Sequence, residues 1–313
     1  MQEPTKRPTG FRLWCIAVRA PFFTGSAIPV LLGTAIGWDH DGPWHWLLFA
    51  LTLIGAVSAH AAANMSNDYY DHVYGADEAN TEFISPFTGG SRVIQNGLLS
   101  AKTVLIAAIA AYLIAATCGV ALYLLTGHVW IIILAAIGGL CGIFYTAPPI
   151  RAAYNGYGEL LIGIAFGCCI VLGAEVVQSG RMTLAGLLAS IPIALLIMNV
   201  LYINQFQDHA GDKIAGKRNW VVLLGKQRAV TGYITILSLA YIDIIVGVCL
   251  RILPIWSLIG LIPFFLMGVK AIAVIRRDYN DSIKLTPANA ATIGMHALTG
   301  LLLGLGFVID KLK

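Results

Sequence analysis

The sequence predicts an all-α, polytopic membrane protein whose nine transmembrane helices surround a central cavity. Three observations predict it. Apolar residues make up 58% of the chain and charged residues only 12%, against roughly half and a quarter in soluble domains. The apolar residues gather into windows of about 20, the length that crosses a hydrocarbon core. Lysine and arginine are dense in alternate connections and sparse in the others, as expected when positive charge is retained on the cytoplasmic side.

The windows run 14–37, 45–66, 103–125, 129–145, 155–178, 183–203, 230–250, 255–275 and 289–309. The first follows a short basic stretch. It is longer than the apolar region of a signal peptide and has no clear small-residue cleavage site, so it reads as a permanent helix. The second ends in a run of asparagines and aspartates. The third to fifth are joined by short connections, and the sixth ends in a further run of acids. With no room for a soluble domain, residues 1–313 read as a single transmembrane domain. Its two long connections, about 35 and about 25 residues, suit cap loops over 67–102 and 205–229. In the first, Pro86 and Gly89-Gly90 suit a folded turn. The cysteines Cys15, Cys118, Cys141, Cys168, Cys169 and Cys249 all fall in apolar windows without ligand spacing, and read as small buried hydrophobes.

With the N-terminus inside, the inner segments carry Lys6, Arg7, Arg12, Arg19, Arg92, Lys102, Arg151, Lys213, Lys217, Arg218, Lys226, Arg228, Arg276, Arg277 and Lys284. The outer segments carry only Arg181, Arg251, Lys311 and Lys313. This orientation suits a bacterial-type cytoplasmic membrane, with both acid-rich loops cytoplasmic. The net charge of +4 is then a topology signal. No basic surface interleaved with aromatics argues for nucleic acid.

His60, Asn64, Asn67, Asp68 and Asp71 recur at three- or four-residue steps and share one helical stripe. Asn204, Asp208 and Asp212 recur every four residues on another. The two helices are four spans apart, so both stripes leave the membrane on the same side. Carboxylates at a membrane edge face protein or water rather than lipid, and together with Asp77 they repel unless cations lie between them. A sparse, open-sided set of hard oxygen ligands suits Mg²⁺ that keeps waters and shares a phosphate-bearing substrate. Arg92, Arg151, Lys213, Lys217 and Arg218 stand beside the acids, where a departing diphosphate needs positive charge.

"NDYYDHVYGAD" resembles the first aspartate-rich motif of the UbiA superfamily of intramembrane aromatic prenyltransferases. "NQFQDHAGDKIAGKR" resembles the second, and "FYTAPPIRAAYNGYGE" the segment between them. The similarity runs from "VRAPFFTGSAIPVLLGTAIGW" onward, across nearly the whole chain. The spacing N-D-x-x-D-x-x-x-G-x-D and "GKRNWVVLLGK" resemble the branch that prenylates 1,4-dihydroxy-2-naphthoate on the way to menaquinone. Gln205 and Gln207 depart from the asparagine and arginine expected in the second motif, which bears on the acceptor more than on the metal chemistry.

The resemblance implies that Asn67, Asp71, Asp208 and Asp212 hold Mg²⁺ on a prenyl diphosphate, supported by Asp68, Asp77 and Asn204, with Asp71, Asp208 and Asp212 central to catalysis. Arg19, Asn64, Arg92, Arg151 and Lys213 are expected to contact diphosphate or acceptor, and Tyr145 and Thr146 to line the site. The implied partners are a prenyl diphosphate, an aromatic acceptor and the bilayer, with no obligatory protein partner.

Other readings remain open: a prenyltransferase acting on 4-hydroxybenzoate or a tetrapyrrole, a cyclase with no acceptor, a cation-coupled transporter, or a membrane scaffold without chemistry. A transporter would place its acids near the midplane on broken helices. His60 is either an acceptor contact or a packed core histidine. Glu159 is either a site residue or a helix-start acid, Glu175 has no assigned role, and Asp243 and His296 read as satisfied interhelical polar groups.

Overall fold

The computed structural model describes residues 7–40, 44–81, 83–85 and 87–313, with the side chains of 39 and 40 left aside. Lys6 and Pro86 lie outside the described residues. Among the described residues nine long apolar helices follow in order: α1 Ala20–Trp38, α2 Trp46–Val73, α3 Ala101–Thr126, α4 Val129–Phe144, α5 Gly158–Ser179, α6 Leu184–Ile214, α7 Lys226–Cys249, α8 Ile255–Asp278 and α9 Ser282–Lys311. Eight are long and apolar enough to cross a membrane, and α4 is shorter. No strand occurs among the described residues.

The first apolar window divides. A short helix, Gly10–Ala17, ends before Arg19, which sits in the left-handed region at φ 54, and a 3-10 turn containing Pro21 forms the first turn of α1. A continuous span from residue 14 is therefore corrected: a non-glycine residue at positive φ followed two positions later by a proline breaks the helical ladder. Elsewhere the caps explain the ends. Ser100 accepts from Thr103 N at the start of α3, Thr183 from Gly186 N at the start of α6, and Asp281 from Ile283 N and Lys284 N at the start of α9.

α2 packs along α3, α1 along α5, and α6 against α7 and α9, while α9 closes the ring against α1. The largest core lies among α6, α7 and α9, with Ile193, Leu196, Phe206, Tyr233, Leu237 and Phe307 at its centre. α1 approaches α5 closely enough that a Cβ on Gly37 would stand 2.8 Å from the Glu175 carbonyl oxygen, the small-residue contact that membrane helices use. Within α5, residues Gly163–Cys169 are π-helical, a local widening that periodicity does not announce.

Helix length places the polar ends. α2 has 28 residues and α6 has 31, so at 1.5 Å per residue they measure about 42 and about 46 Å, against about 30 Å of hydrocarbon. Counting from Trp46 and Leu184, the surplus begins near Asn67 and Asn204. The acids thus ride on helical extensions, and both extensions point to the same side.

Candidate active site

Between these extensions lies a cavity of about 220 Å³. α2 contributes His60, Asn64, Asn67 and Asp71 to its wall, and α6 contributes Asn204, Gln205, Asp208 and Asp212. The connection after α2 adds Asp77, Asn80, Thr88, Gly89 and Gly90, and the turn after α6 adds Lys217 and Asn219. The remaining wall is largely apolar, including Phe22, Leu161, Ile162, Ala165, Phe166, Ile197, Val200 and Leu201.

Asp71 is held by three different residues. Its Oδ2 accepts from Asn67 Nδ2 at 2.8 Å and from Lys217 Nζ at 2.9 Å, and its Oδ1 accepts from Tyr154 OH at 2.7 Å. Lys217 also lies 3.4 Å from Asp212 Oδ1, while Asn219 Nδ2 donates to Asp212 Oδ2 at 2.7 Å. One ammonium therefore bridges the two stripes. Burial works against its charge, and the charges of Asp71 and Asp212 more than offset that, so Lys217 holds its proton well above the ordinary lysine range. Asp208 accepts from Asn80 Nδ2 at 2.6 Å. Burial, reinforced by the charges of Asp71 and Asp68, pushes the Asp77 carboxyl up to about 8.

Asp68 turns away from the cavity. It is buried, paired with Arg19 Nη2, and accepts from Ser91 Oγ. The same Arg19 nitrogen donates to Asn67 Oδ1 at 3.2 Å, so Asp68 reaches the site through Arg19. Gly90 closes over this pair at φ 73, where a Cβ would stand 2.9 Å from Asp68 Oδ1 and 3.1 Å from Arg19 Nη2.

Several expected contacts lie elsewhere. Arg92 donates to the carbonyl oxygens of Asp77 and Asn80 and stacks on Phe83 at 4.1 Å, holding the connection folded. Arg151 stacks on Tyr74 at 3.8 Å and on Tyr154 at 4.6 Å. Lys213 is exposed, and Thr146 is fully buried with no partner for its hydroxyl. None of these four lines the cavity, whereas Tyr145 and Arg19 do. Asn204 accepts from Asn289 Nδ2 at 2.8 Å, and Gln207 donates to the Ser282 carbonyl at 2.7 Å, tying α6 to α9; Gln205 faces the cavity. Glu159 is buried outside the cavity and accepts from Trp220 N at 2.8 Å. Glu175 accepts from Thr183 N at 3.1 Å, linking α5 to the start of α6. His296 Nε2 and Asp243 Oδ2 have no hydrogen-bond partner, which corrects the expectation of interhelical bonds for both.

Lys217, one of the basic residues that the sequence places beside the acids, belongs to the site, and so do Asn80, Asn219 and Tyr154, which the sequence does not mark. For Lys217 a signal existed. Gly216, at φ 74, follows the end of α6 and reverses the chain, so that Lys217 N reaches the Asp212 carbonyl at 2.8 Å.

The donor set fits Mg²⁺. Asn67, Asp71, Asp208 and Asp212 present carboxylate and amide oxygens to one cavity, the hard ligands this ion takes. Among the described residues, no three carboxylate, imidazole or thiol groups cluster closely enough to hold a metal alone.

The profile of the UbiA prenyltransferase family matches residues 26–293. The chain is 29% identical over 312 residues to the 1,4-dihydroxy-2-naphthoate octaprenyltransferase of Bacillus subtilis (strain 168), covering 99% of this chain and 96% of that protein. It is 30% identical over 256 residues to the 1,4-dihydroxy-2-naphthoate octaprenyltransferase of Mycobacterium tuberculosis, covering 80% and 82%. Its fold matches that of a UbiA homolog from Archaeoglobus fulgidus bound to DMAPP and Mg²⁺, with a TM-score of 0.60 and 15% identity over 93% of this chain and 98% of that one.

Proposed function

We propose that this chain, which belongs to the UbiA prenyltransferase family, transfers a prenyl group from an allylic prenyl diphosphate to 1,4-dihydroxy-2-naphthoate, with its site at the cytoplasmic face of the membrane. The observation that carries the reading is the convergence of the α2 and α6 stripes on one cavity, joined by Lys217. The names of the Bacillus and Mycobacterium relatives support the acceptor. The lysine and arginine asymmetry supports the orientation.

Asn67, Asp71, Asp208 and Asp212 would hold Mg²⁺, with Asp77 and Asn204 beside them and Asp68 acting through Arg19. When bound, the ion draws charge from the diphosphate as the allylic C–O bond breaks. Lys217 and Arg19 supply fixed positive charge at the same mouth, stabilising the leaving diphosphate. The apolar wall formed by Phe22, Ile162, Ile197, Val200 and Leu201 receives the prenyl tail and keeps water from the allylic cation. The electron-rich ring attacks that cation through the carbon that bears the carboxylate, and loss of the carboxylate from that carbon as carbon dioxide leaves its electron pair in the ring and restores aromaticity.

The test is purified protein with Mg²⁺, a panel of prenyl diphosphates, and 1,4-dihydroxy-2-naphthoate beside 4-hydroxybenzoate, analysed by mass spectrometry. Prenylated, decarboxylated naphthoquinol is the expected product. Prenylation of 4-hydroxybenzoate alone would overturn the acceptor, and no transfer to any acceptor would overturn the reaction.

A further inference from the structure

His60 stands seven residues before Asn67 on the same stripe, about 10 Å deeper along the helix. It is 8% exposed and lines the cavity. Its Nδ1 lies 2.8 Å from Ser26 Oγ on α1, and none of the described residues is bonded to its Nε2. The ring is held edge-on by Phe23, with centroids 5.4 Å apart, and by Phe166 at 4.6 Å. Phe166 belongs to the π-helical stretch of α5. A histidine that only filled the core would have no reason to line a cavity while a partner on α1 fixes one nitrogen. An imidazole held at Nδ1 presents Nε2 in a defined direction.

One turn nearer the mouth, Asn64 lines the same cavity. Its Nδ2 donates to the Val18 carbonyl at 3.0 Å, which leaves Oδ1 as its free group. The two residues are four apart on one helix, about 6 Å along its axis, and both line the cavity, so the wall offers two polar groups free for a ligand. From this we infer that His60 Nε2 and Asn64 Oδ1 recognise the aromatic acceptor by its two para hydroxyls, with Ser26 as the residue that positions His60. The inference rests on the proposed prenyl transfer and names the feature of the acceptor that the site reads. A hydroxyl both donates and accepts, so it pairs with either neutral tautomer of His60 and donates to the amide oxygen of Asn64.

The test uses the full chain in detergent, with 1,4-dihydroxy-2-naphthoate and its two mono-O-methyl ethers as acceptors, and compares wild type, His60→Phe, His60→Gln and Ser26→Ala. Wild type should prefer the dihydroxy acceptor over each ether by about tenfold or more in kcat/KM. His60→Phe should raise the acceptor KM by a similar factor, leave the KM for the prenyl diphosphate unchanged, and lose the discrimination against one ether. His60→Gln should recover part of it, and Ser26→Ala should raise the acceptor KM a few-fold. An unchanged acceptor KM with discrimination intact in His60→Phe overturns the inference, as does a rise confined to the prenyl diphosphate KM. If His60→Phe does not fold, Ser26→Ala with wild-type acceptor KM and discrimination overturns it instead. Inactivity of the wild type on the naphthoate would sink the proposed function first, which distinguishes the two failures.

Discussion

Lys217 Nζ lies 2.9 Å from Asp71 Oδ2, so a residue on the connection after α6 neutralises an acid on α2. It also reaches Asp212 at 3.4 Å. Without it, two carboxylates would face each other across a partly dry cavity, an arrangement that resists ionisation. Replacing Lys217 by methionine should lower turnover by about 10²–10³-fold, the loss seen when one donor to a developing negative charge is removed. The variant should melt lower than wild type without metal, and Mg²⁺ should raise its melting midpoint more than it raises that of wild type. Equal metal-induced shifts in the two proteins would show that Lys217 does not share the cation's place.

Asp68 makes a different prediction from its neighbours. It is engaged by Arg19 and Ser91 and turned from the cavity. Asp68→Ala leaves the Arg19 guanidinium without its partner, and breaking a buried pair on one side costs about 3–5 kcal/mol. Thermal unfolding in detergent should show a large drop for Asp68→Ala and little change for Asp208→Asn. Similar midpoints for the two variants would mean that Asp68 is not a clamp.

Gly90 should be intolerant of a side chain. At φ 73 a Cβ would press on Asp68 and Arg19, and the backbone conformation itself disfavours alanine. Gly90→Ala should cost about 1–3 kcal/mol and lower activity. Gly97→Ala, at φ 62 with nothing near its Cβ, should pay only the backbone cost. Comparable activity in the two variants would remove the steric argument.

The proposed orientation places both acid-bearing ends in the cytoplasm. Asn96 and Lys213 are exposed and make no contact with the cavity. Single cysteines at either position, in a background without the native thiols, should resist an impermeant reagent in intact cells and react in opened ones. Labelling from outside would reverse the topology.

The helices and the two stripes were legible because helical geometry settles direction: once α2 and α6 are helices, Asn67 and Asp71 must share a face, and so must Asn204, Asp208 and Asp212. Parity of spans then brought the two faces to one side. What was not legible lies on connections, where a side chain's direction depends on how the turn folds. Arg92 and Arg151 have the charge for a diphosphate, yet the first satisfies carbonyl oxygens of its own loop and the second stacks on two tyrosines. Lys213 and Lys217 look equivalent in sequence. The helix carries the first outward, and the glycine turn at Gly216 carries the second back between the acids. The break at Arg19 was hidden because an apolar window records composition and not φ.

The metal-holding role is tested by removing charge without removing shape. Asp71→Asn and Asp208→Asn keep hydrogen-bonding capacity toward Tyr154 and Asn80 respectively, and lose only the charge that a cation needs. If both acids act on one diphosphate through shared metal, each single variant should lose at least about a hundredfold in turnover. The double variant should be little worse than either single, because groups acting as a unit are strongly non-additive. Excess chelator should abolish wild-type turnover, and Mg²⁺ should restore it. Folding should survive in all three variants, since each carboxylate lines a cavity mouth and the core lies among α6, α7 and α9. Product formation measured beside monodispersity separates the outcomes. Well-folded singles with near wild-type turnover would remove the catalytic assignment, and aggregation of all three would make these acids structural.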